Sequence, residues 1–378
     1  MIPVFEPDVG AEEISAVVAA LRRGEISGTF GESIPRFEEK FASYCDCKYG
    51  IAVTSGTTAL HLAVAAACMR PGDEILVSAC TNIATALAAF HNGAIAVPVD
   101  SEEVTWNLDL DLIESLITPR TRAIMPVHIY GHPVDMDRLC EIAKRHQLLV
   151  IEDCAEAHGA TCRGKKVGSF GDMGCFSFLA NKVITTGEGG MITTNDEALA
   201  ERLRLLRNMA FTKPRFWHEL PGYNFRMTGF QAAIGIVQIG KIEQIIEQKR
   251  RVALTYNRYL RDIPGLQLPF EAEWARNVYW MYAVVVQQEF GMTRDHLTNW
   301  LWGDGIETRT FFCPMNQQPC LQAQPGFRVI PCPVADRLWT SGFYLPSSYT
   351  LTEETIRTIA KSVRRAAEHA VRQPQAAL

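Results

Sequence analysis

Short apolar runs alternate with amphipathic stretches through the first two-thirds of this chain. The runs at 74–78, 94–99, 122–129, 148–152, 173–178 and 190–194 have the length and β-branched content of buried strands. Between them, 58–69, 136–146 and 197–207 repeat apolar residues at helical spacing. Apolar strands separated by helices predict βαβ units and a largely parallel sheet covered on both faces. A long helical pattern at 229–256 then reads as a connector leaving this unit.

From about Asp262 the texture changes. A strand at 279–286 precedes a helix at 294–302, which Gly303-Asp304-Gly305 stops, and a strand at 306–312. A loop rich in Pro, Gln and Cys (313–333) leads to a strand at 343–346 and a helix at 353–372. The expected division is a large domain over 1–245, including an N-terminal arm, and a small α+β domain over 246–378 that the arm helps to join. The tail at 373–378 is expected to fray.

Composition narrows the function. A chain of 378 residues suits one large and one smaller core. A net charge of −5, a pI near 6.0 and the lack of a basic patch argue against a nucleic-acid partner. The densest basic cluster, Lys249-Arg250-Arg251, reads as the solvated face of the long helix. The eleven cysteines are scattered and form no Cys-x-x-Cys pair, which fits free thiols in a reducing cytoplasm. No secretory leader is visible, and no apolar run reaches the ~20 residues of a membrane span, so no membrane partner is expected.

Three segments carry candidate chemistry. Lys182 follows an apolar strand and precedes the glycine cluster 187–190. A lysine partly buried at such a junction loses hydration, its pKa falls, and its neutral amine can form a Schiff base with a carbonyl. In Ser55-Gly56-Thr57-Thr58 a small-residue turn opens into a helix, offering unpaired N–H groups and hydroxyls to a phosphate; an ordinary helix cap would look the same. The strand 148–152 ends at Glu152-Asp153, on the edge where open α/β sheets bind ligands, and a carboxylate there can keep a ring nitrogen protonated. With Ser177 five residues before Lys182, these parts supply what a phosphorylated pyridine aldehyde needs. No converging carboxylates or histidines suggest a metal. His128 reads as a packed histidine, and Trp280, Trp300 and Trp302 as core of the small domain.

The chain resembles the DegT/DnrJ/EryC1/StrS group of sugar-modifying, pyridoxal-phosphate-dependent aminotransferases. The likeness runs through Gly56-Thr57-Thr58-Ala59-Leu60-His61-Leu62, Pro126-Val127-His128-Ile129-Tyr130-Gly131, Ile151-Glu152-Asp153 with Glu156, Ser177 to Gly190, Tyr223-Asn224-Phe225-Arg226, Gly305-Ile306-Glu307-Thr308-Arg309 and Leu345-Pro346-Ser347. The lysine loop looks closest to perosamine-synthase-like 4-aminotransferases. The resemblance implies an α/β fold-type-I transferase (aspartate aminotransferase-like) with a mostly parallel mixed sheet. It implies transamination of an NDP-4-keto-6-deoxy sugar by glutamate, with pyridoxal 5'-phosphate and pyridoxamine 5'-phosphate alternating. The product would be an amino sugar for surface polysaccharide such as O-antigen, or for natural-product glycosylation.

Residue by residue, the resemblance makes Lys182 and Asp153 catalytic. Gly56, Thr57, Thr58, Asn82, Glu156 and Ser177 would line the cofactor, with Asn224 reaching it from the other subunit of a homodimer. Arg226 and Ser27 would face substrate, Arg226 equally suiting a structural interface. Two departures stand out: Asn82 where relatives place an aromatic against the cofactor ring, and Glu25 where they commonly show tryptophan near the substrate. A sugar dehydratase relative, or an inactive partner homologue, would keep much of the same pattern.

Overall fold

The computed structural model describes residues 1–214 and 216–372; the expected frayed tail lies outside the described residues. Strands β1 (Tyr49–Val53), β2 (Glu74–Ser78), β3 (Ile95–Val99), β4 (Thr121–Met125) and β5 (Leu149–Asp153) are followed by a short hairpin, β6 (Thr161–Cys162) and β7 (Lys165–Lys166). β8 (Met173–Ser177) and β9 (Gly190–Thr194) complete a seven-stranded sheet in the order β1-β9-β8-β5-β4-β2-β3. The five strands from β8 to β3 run parallel, and β9 is antiparallel to both its neighbours. The sheet is therefore mixed and mostly parallel.

Every residue of β2, β3, β8 and β9 is buried, as a sheet covered on both faces requires. Alternation decides which layer each side chain joins. Ile75 and Val77 pack with Leu60, Val64 and Leu203 on one face, while Leu76, Val97 and Ile124 pack with Ile113, Leu139 and Ile142 on the other. Burial of each such aliphatic side chain contributes about 1.5–3 kcal/mol.

The long helix Gly229–Leu260 starts with a capping box between Thr228 and Gln231 and leads to β10 (Leu266–Gln267). β11 (Ala275–Arg276) pairs with β6, whereas β12 (Tyr282–Val286), β13 (Arg309–Thr310) and β14 (Gly342–Leu345) join an antiparallel sheet in the order β10-β12-β14-β13. The N-terminal arm docks there: the Ile2 N–H donates to the Gly305 carbonyl and the Glu6 N–H to Ser348 Oγ, each at 2.7 Å. Among the described residues no helix is long and apolar enough to cross a membrane.

Several sequence expectations need correction. The run expected at 122–129 stops at Met125, because Pro126 cannot donate and the chain turns through Tyr130 at φ 51°. The expected strand 306–312 is reduced to Arg309–Thr310, the loop 313–333 holds the short helix Pro319–Gln322, and an unexpected helix Pro333–Ser341 follows it. Trp302 is 59% exposed and so is not core. Lys249 is not on a solvated face but fully buried; its position in the helix turns it inward toward Trp280 and Ser347, whose carbonyls take its ammonium protons.

Candidate active site

A cavity of about 270 Å³ opens at the carboxyl ends of β2, β4, β5 and β8. Its floor comes from residues at or after the ends of those strands: Thr81 and Asn82, Val127, Asp153 with Ala155 and Glu156, and Ser177 with Leu179, Asn181 and Lys182. Arg309, Phe312, Tyr344 and Trp280 close it from the C-terminal part of the chain.

One end is built for an anion. A Cβ on Gly56 would lie 2.6 Å from Ser177 Cβ, so only glycine lets the start of the helix Gly56–Ala66 approach the Ser177 hydroxyl. The first N–H groups of that helix lack partners within it and carry the positive end of its dipole. Thr57 lines the cavity, and Thr58 does not. The Thr58 hydroxyl accepts the Ser55 N–H at 2.9 Å, and its N–H donates to Ser55 Oγ at 3.1 Å, so Thr58 is held in a reciprocal cap.

The other end holds the titratable groups. Thr85 Oγ1 donates to Asp153 Oδ2 at 2.8 Å and the Ala155 N–H to Oδ1 at 3.1 Å; burial nonetheless raises the Asp153 pKa against both bonds. Glu156 is 3% exposed, and Oε2 accepts the Tyr130 N–H at 2.8 Å. Burial pushes its carboxyl up to about 7, with the Lys182 charge pulling the other way. Burial lowers the Lys182 pKa, while Glu156 and then Asp153 oppose the fall. The Lys182 amine sits 3.8 Å from the centroid of the Trp280 ring. A depressed amine beside raised carboxyls is the arrangement from which a lysine attacks carbonyls.

The remaining sequence candidates separate clearly. Asn82 lines the cavity, its Oδ1 accepting the Ala84 N–H at 3.0 Å. Asn224, Arg226 and Ser27 lie outside the cavity lining. Asn224 is exposed, Arg226 donates to Asn208 Oδ1 at 2.7 Å, and Ser27 pairs with Thr29 at 2.9 Å. Glu25 is buried against Arg23 and Ser33, which hold its carboxyl at about 2. His128 is packed as expected: its Nδ1 accepts the Val134 N–H at 3.0 Å and its Nε2 faces Glu152 at 3.3 Å. Glu152 also accepts N–H groups of Gly168, Phe170 and Gly171, each at 2.8 Å. The buried trio His128, Glu152 and Cys154 therefore has its Glu152 oxygens taken by donors, not free for a cation. His158, ringed by Phe41, Phe176 and Phe178, is pushed down to about 3 by burial and is neutral.

Sequence reasoning missed Trp280, Arg309, Phe312 and Tyr344. The tryptophan reads as core from its apolar surroundings, and it is indeed only 3% exposed while also forming a cavity wall. The signal for Arg309 lay in the quoted motif 305–309, without a role attached.

The chain is 44% identical over 362 residues to the GDP-perosamine synthase of Caulobacter vibrioides, covering 95% of this chain and 96% of that one. It is 39% identical to the GDP-perosamine synthase of Escherichia coli O157:H7, covering 96% and 97%. Among solved structures, S. venezuelae DesV in complex with a ketimine intermediate superposes with a TM-score of 0.87 at 36% identity, with 95% of each chain covered. The fold is the expected type I transferase fold. The family model for these aminotransferases matches residues 7–364, nearly the whole chain: this chain is an enzyme of the DegT/DnrJ/EryC1/StrS aminotransferase family.

Proposed function

We propose that this enzyme moves the amino group of glutamate onto the keto carbon of a nucleotide-linked sugar, an NDP-4-keto-6-deoxyhexose, with pyridoxal 5'-phosphate in the cavity between Gly56 and Lys182. The carrying observation is that one cavity holds the Lys182 amine, the Asp153 carboxylate and the Gly56–Ser177 cradle together. That donor set fits the cofactor. The cradle would take the phosphate through the Ser177 hydroxyl and the leading N–H groups, and the Asp153 carboxylate, held by Thr85 and the Ala155 N–H, would pair with a protonated ring nitrogen. When bound, the cofactor supplies an electron sink for the pair released by a breaking C–H bond.

The chain's own residues do the rest. Lys182, whose pKa burial lowers, is the residue that would hold the cofactor's aldehyde carbon and, once released, would carry a proton between carbon atoms at its Nζ. Asp153 would keep the ring nitrogen protonated, and Thr85 fixes its carboxylate. Glu156 and the Asn82 carboxamide line the cavity floor and would bound the ring there. Trp280, Phe312 and Tyr344 form the cavity's opposite wall and would exclude water from the bound ring.

The similarity to GDP-perosamine synthases supports a nucleotide sugar as substrate. In this reading residues 1–245 hold the cofactor and 246–378 close over it. A second copy completes the site, because Asn224 is exposed and outside its own chain's cavity. The free cysteines support a reducing cytoplasm as its place.

The test has two stages. Borohydride reduction of the protein with pyridoxal phosphate, followed by peptide mass analysis, should label Lys182 and bleach the visible band. GDP-, dTDP- and UDP-linked keto sugars with glutamate should then yield one amino sugar, detected by mass, and Lys182→Ala should abolish it. A label elsewhere, or residual transamination by that variant, rejects the reading.

A further inference from the structure

Three contacts meet at Trp280. Its ring faces the Lys182 amine at 3.8 Å, its Nε1–H donates to the Asn181 carbonyl at 2.7 Å, and its own carbonyl accepts from Lys249 Nζ at 2.9 Å. Tyr130 stacks on the indole at 6.2 Å and 12°. Held by its backbone, its ring nitrogen and one of its faces, the indole has no freedom to turn away from the amine.

Lys249 is the unusual member of this set. It is 2% exposed, and no carboxylate pairs with it among the described residues. Besides Trp280 it reaches the Ser347 carbonyl at 3.0 Å, and its ammonium lies 5.6 Å from the Phe5 ring centroid. Burying an ammonium on carbonyls alone is costly, and burial lowers its pKa to about 7. That cation joins three separate segments: the N-terminal arm, the residues entering β12 and those leaving β14.

An aromatic face attracts a cation and does little for a neutral amine. We propose that Trp280 is a catalytic residue of this site, a π-face seat for the protonated amine of Lys182, and that Lys249 is its positioning residue. This rests on Lys182 being the carbonyl-binding lysine. The charged and titratable groups that also act on that amine are Glu156 and Asp153, which favour its proton, and His158, which burial keeps neutral. The indole adds a pull that does not vary with the protonation of either carboxylate. It would stabilise the ammonium formed once the freed amine has taken a proton from one carbon atom, until that proton is returned to the next.

Competitive trace acetylation of cofactor-free protein across pH, read on the Lys182 peptide by mass, gives the amine's titration midpoint. Trp280→Leu should lower it by about one pH unit, and Trp280→Phe, which keeps a weaker π-face, by less than half a unit. Lys249→Met, or Lys249→Gln if the first does not fold, should lower it in the same direction with an unchanged far-ultraviolet spectrum. An unmoved midpoint in Trp280→Leu overturns the seat. An unmoved midpoint in the folded Lys249 variant, with Trp280→Leu shifted, overturns the positioning role. Failure of borohydride to label Lys182 in the wild type would sink the lysine assignment instead, and the cofactor-free titration keeps that failure separate.

Discussion

The Thr85 hydroxyl donates to Asp153 Oδ2 at 2.8 Å in a place where both side chains are closed to solvent. Burial raises the Asp153 pKa, and this bond is the largest contribution that opposes it. Thr85→Val keeps the shape and removes the donor, so Asp153 should protonate more readily and hold a cationic ring nitrogen less well. A hydrogen bond to a charged group contributes about 1.5–3 kcal/mol, which corresponds to roughly 10- to 100-fold weaker pyridoxal phosphate binding. A fluorescence titration measures it, and Thr85→Ser should restore most of the affinity. Unchanged affinity in the valine variant would contradict this role.

Glu156 makes a pH-dependent prediction. Its pKa moves from 4.5 to about 7 on folding, so between those values the folded chain holds this proton while the unfolded chain has lost it. This group's contribution to stability is therefore present at low pH and declines as pH rises through that window. Glu156→Gln keeps an acceptor for the Tyr130 N–H and cannot ionise. Relative to wild type, the cofactor-free variant should gain little stability at pH 5 and progressively more up to about pH 7, on the order of 1.4 kcal/mol per pH unit across the window, and then level off. Chemical denaturation at several pH values reads the difference directly. A gap that is constant with pH would mean that the carboxyl is not raised.

The parallel core was legible because its strands are apolar along their whole length; the antiparallel edge strand β1, at Tyr49–Val53, and the short helices Ala84–His91 and Leu110–Leu116 escaped notice. The placing of Lys182 and Asp153 was legible because Asp153 ends β5 and Lys182 follows β8 by five residues, which puts both at one edge of the sheet. The cavity's other wall was not. Arg309, Phe312 and Tyr344 arrive there only because the small sheet packs over the large one, a contact with no local signature. Lys249 was misjudged because a charge run on a helix ordinarily faces water, whereas here the helix is flanked by segments on more than one side. Neighbouring threonines at 57 and 58 look alike in sequence, and only the helix cap separates them.

Asn82 stands at the cavity floor with its Oδ1 tied to the Ala84 N–H at 3.0 Å. Aromatic stacking on a ring contributes about 0.5–1.5 kcal/mol beyond area burial. Asn82→Phe should therefore tighten pyridoxal phosphate binding by roughly 2- to 10-fold. Loss of the amide's bond should lower the melting temperature slightly at the same time. Dialysis against cofactor-free buffer, following the visible absorbance, compares retention in the two proteins. Faster cofactor loss from the phenylalanine variant would show that the amide itself holds the ring.

The pair Thr57 and Thr58 separates binding from folding at one turn. Thr58 Oγ1 accepts the Ser55 N–H and donates to the Ser55 carbonyl, both at 2.9 Å, which closes the cap of the helix Gly56–Ala66. Thr58→Val should cost about 1 kcal/mol of stability, as lost caps do, with only a small change in cofactor affinity. Thr57 is exposed and lines the cavity, with no side-chain bond recorded to a neighbour among the described residues. Thr57→Val should leave stability unchanged and weaken binding of both pyridoxal phosphate and inorganic phosphate. Denaturant midpoints and phosphate titrations of the two variants give four numbers, of which two should move: stability in Thr58→Val and affinity in Thr57→Val. The reverse pattern would place the phosphate on Thr58 and return the cap to Ser55 alone.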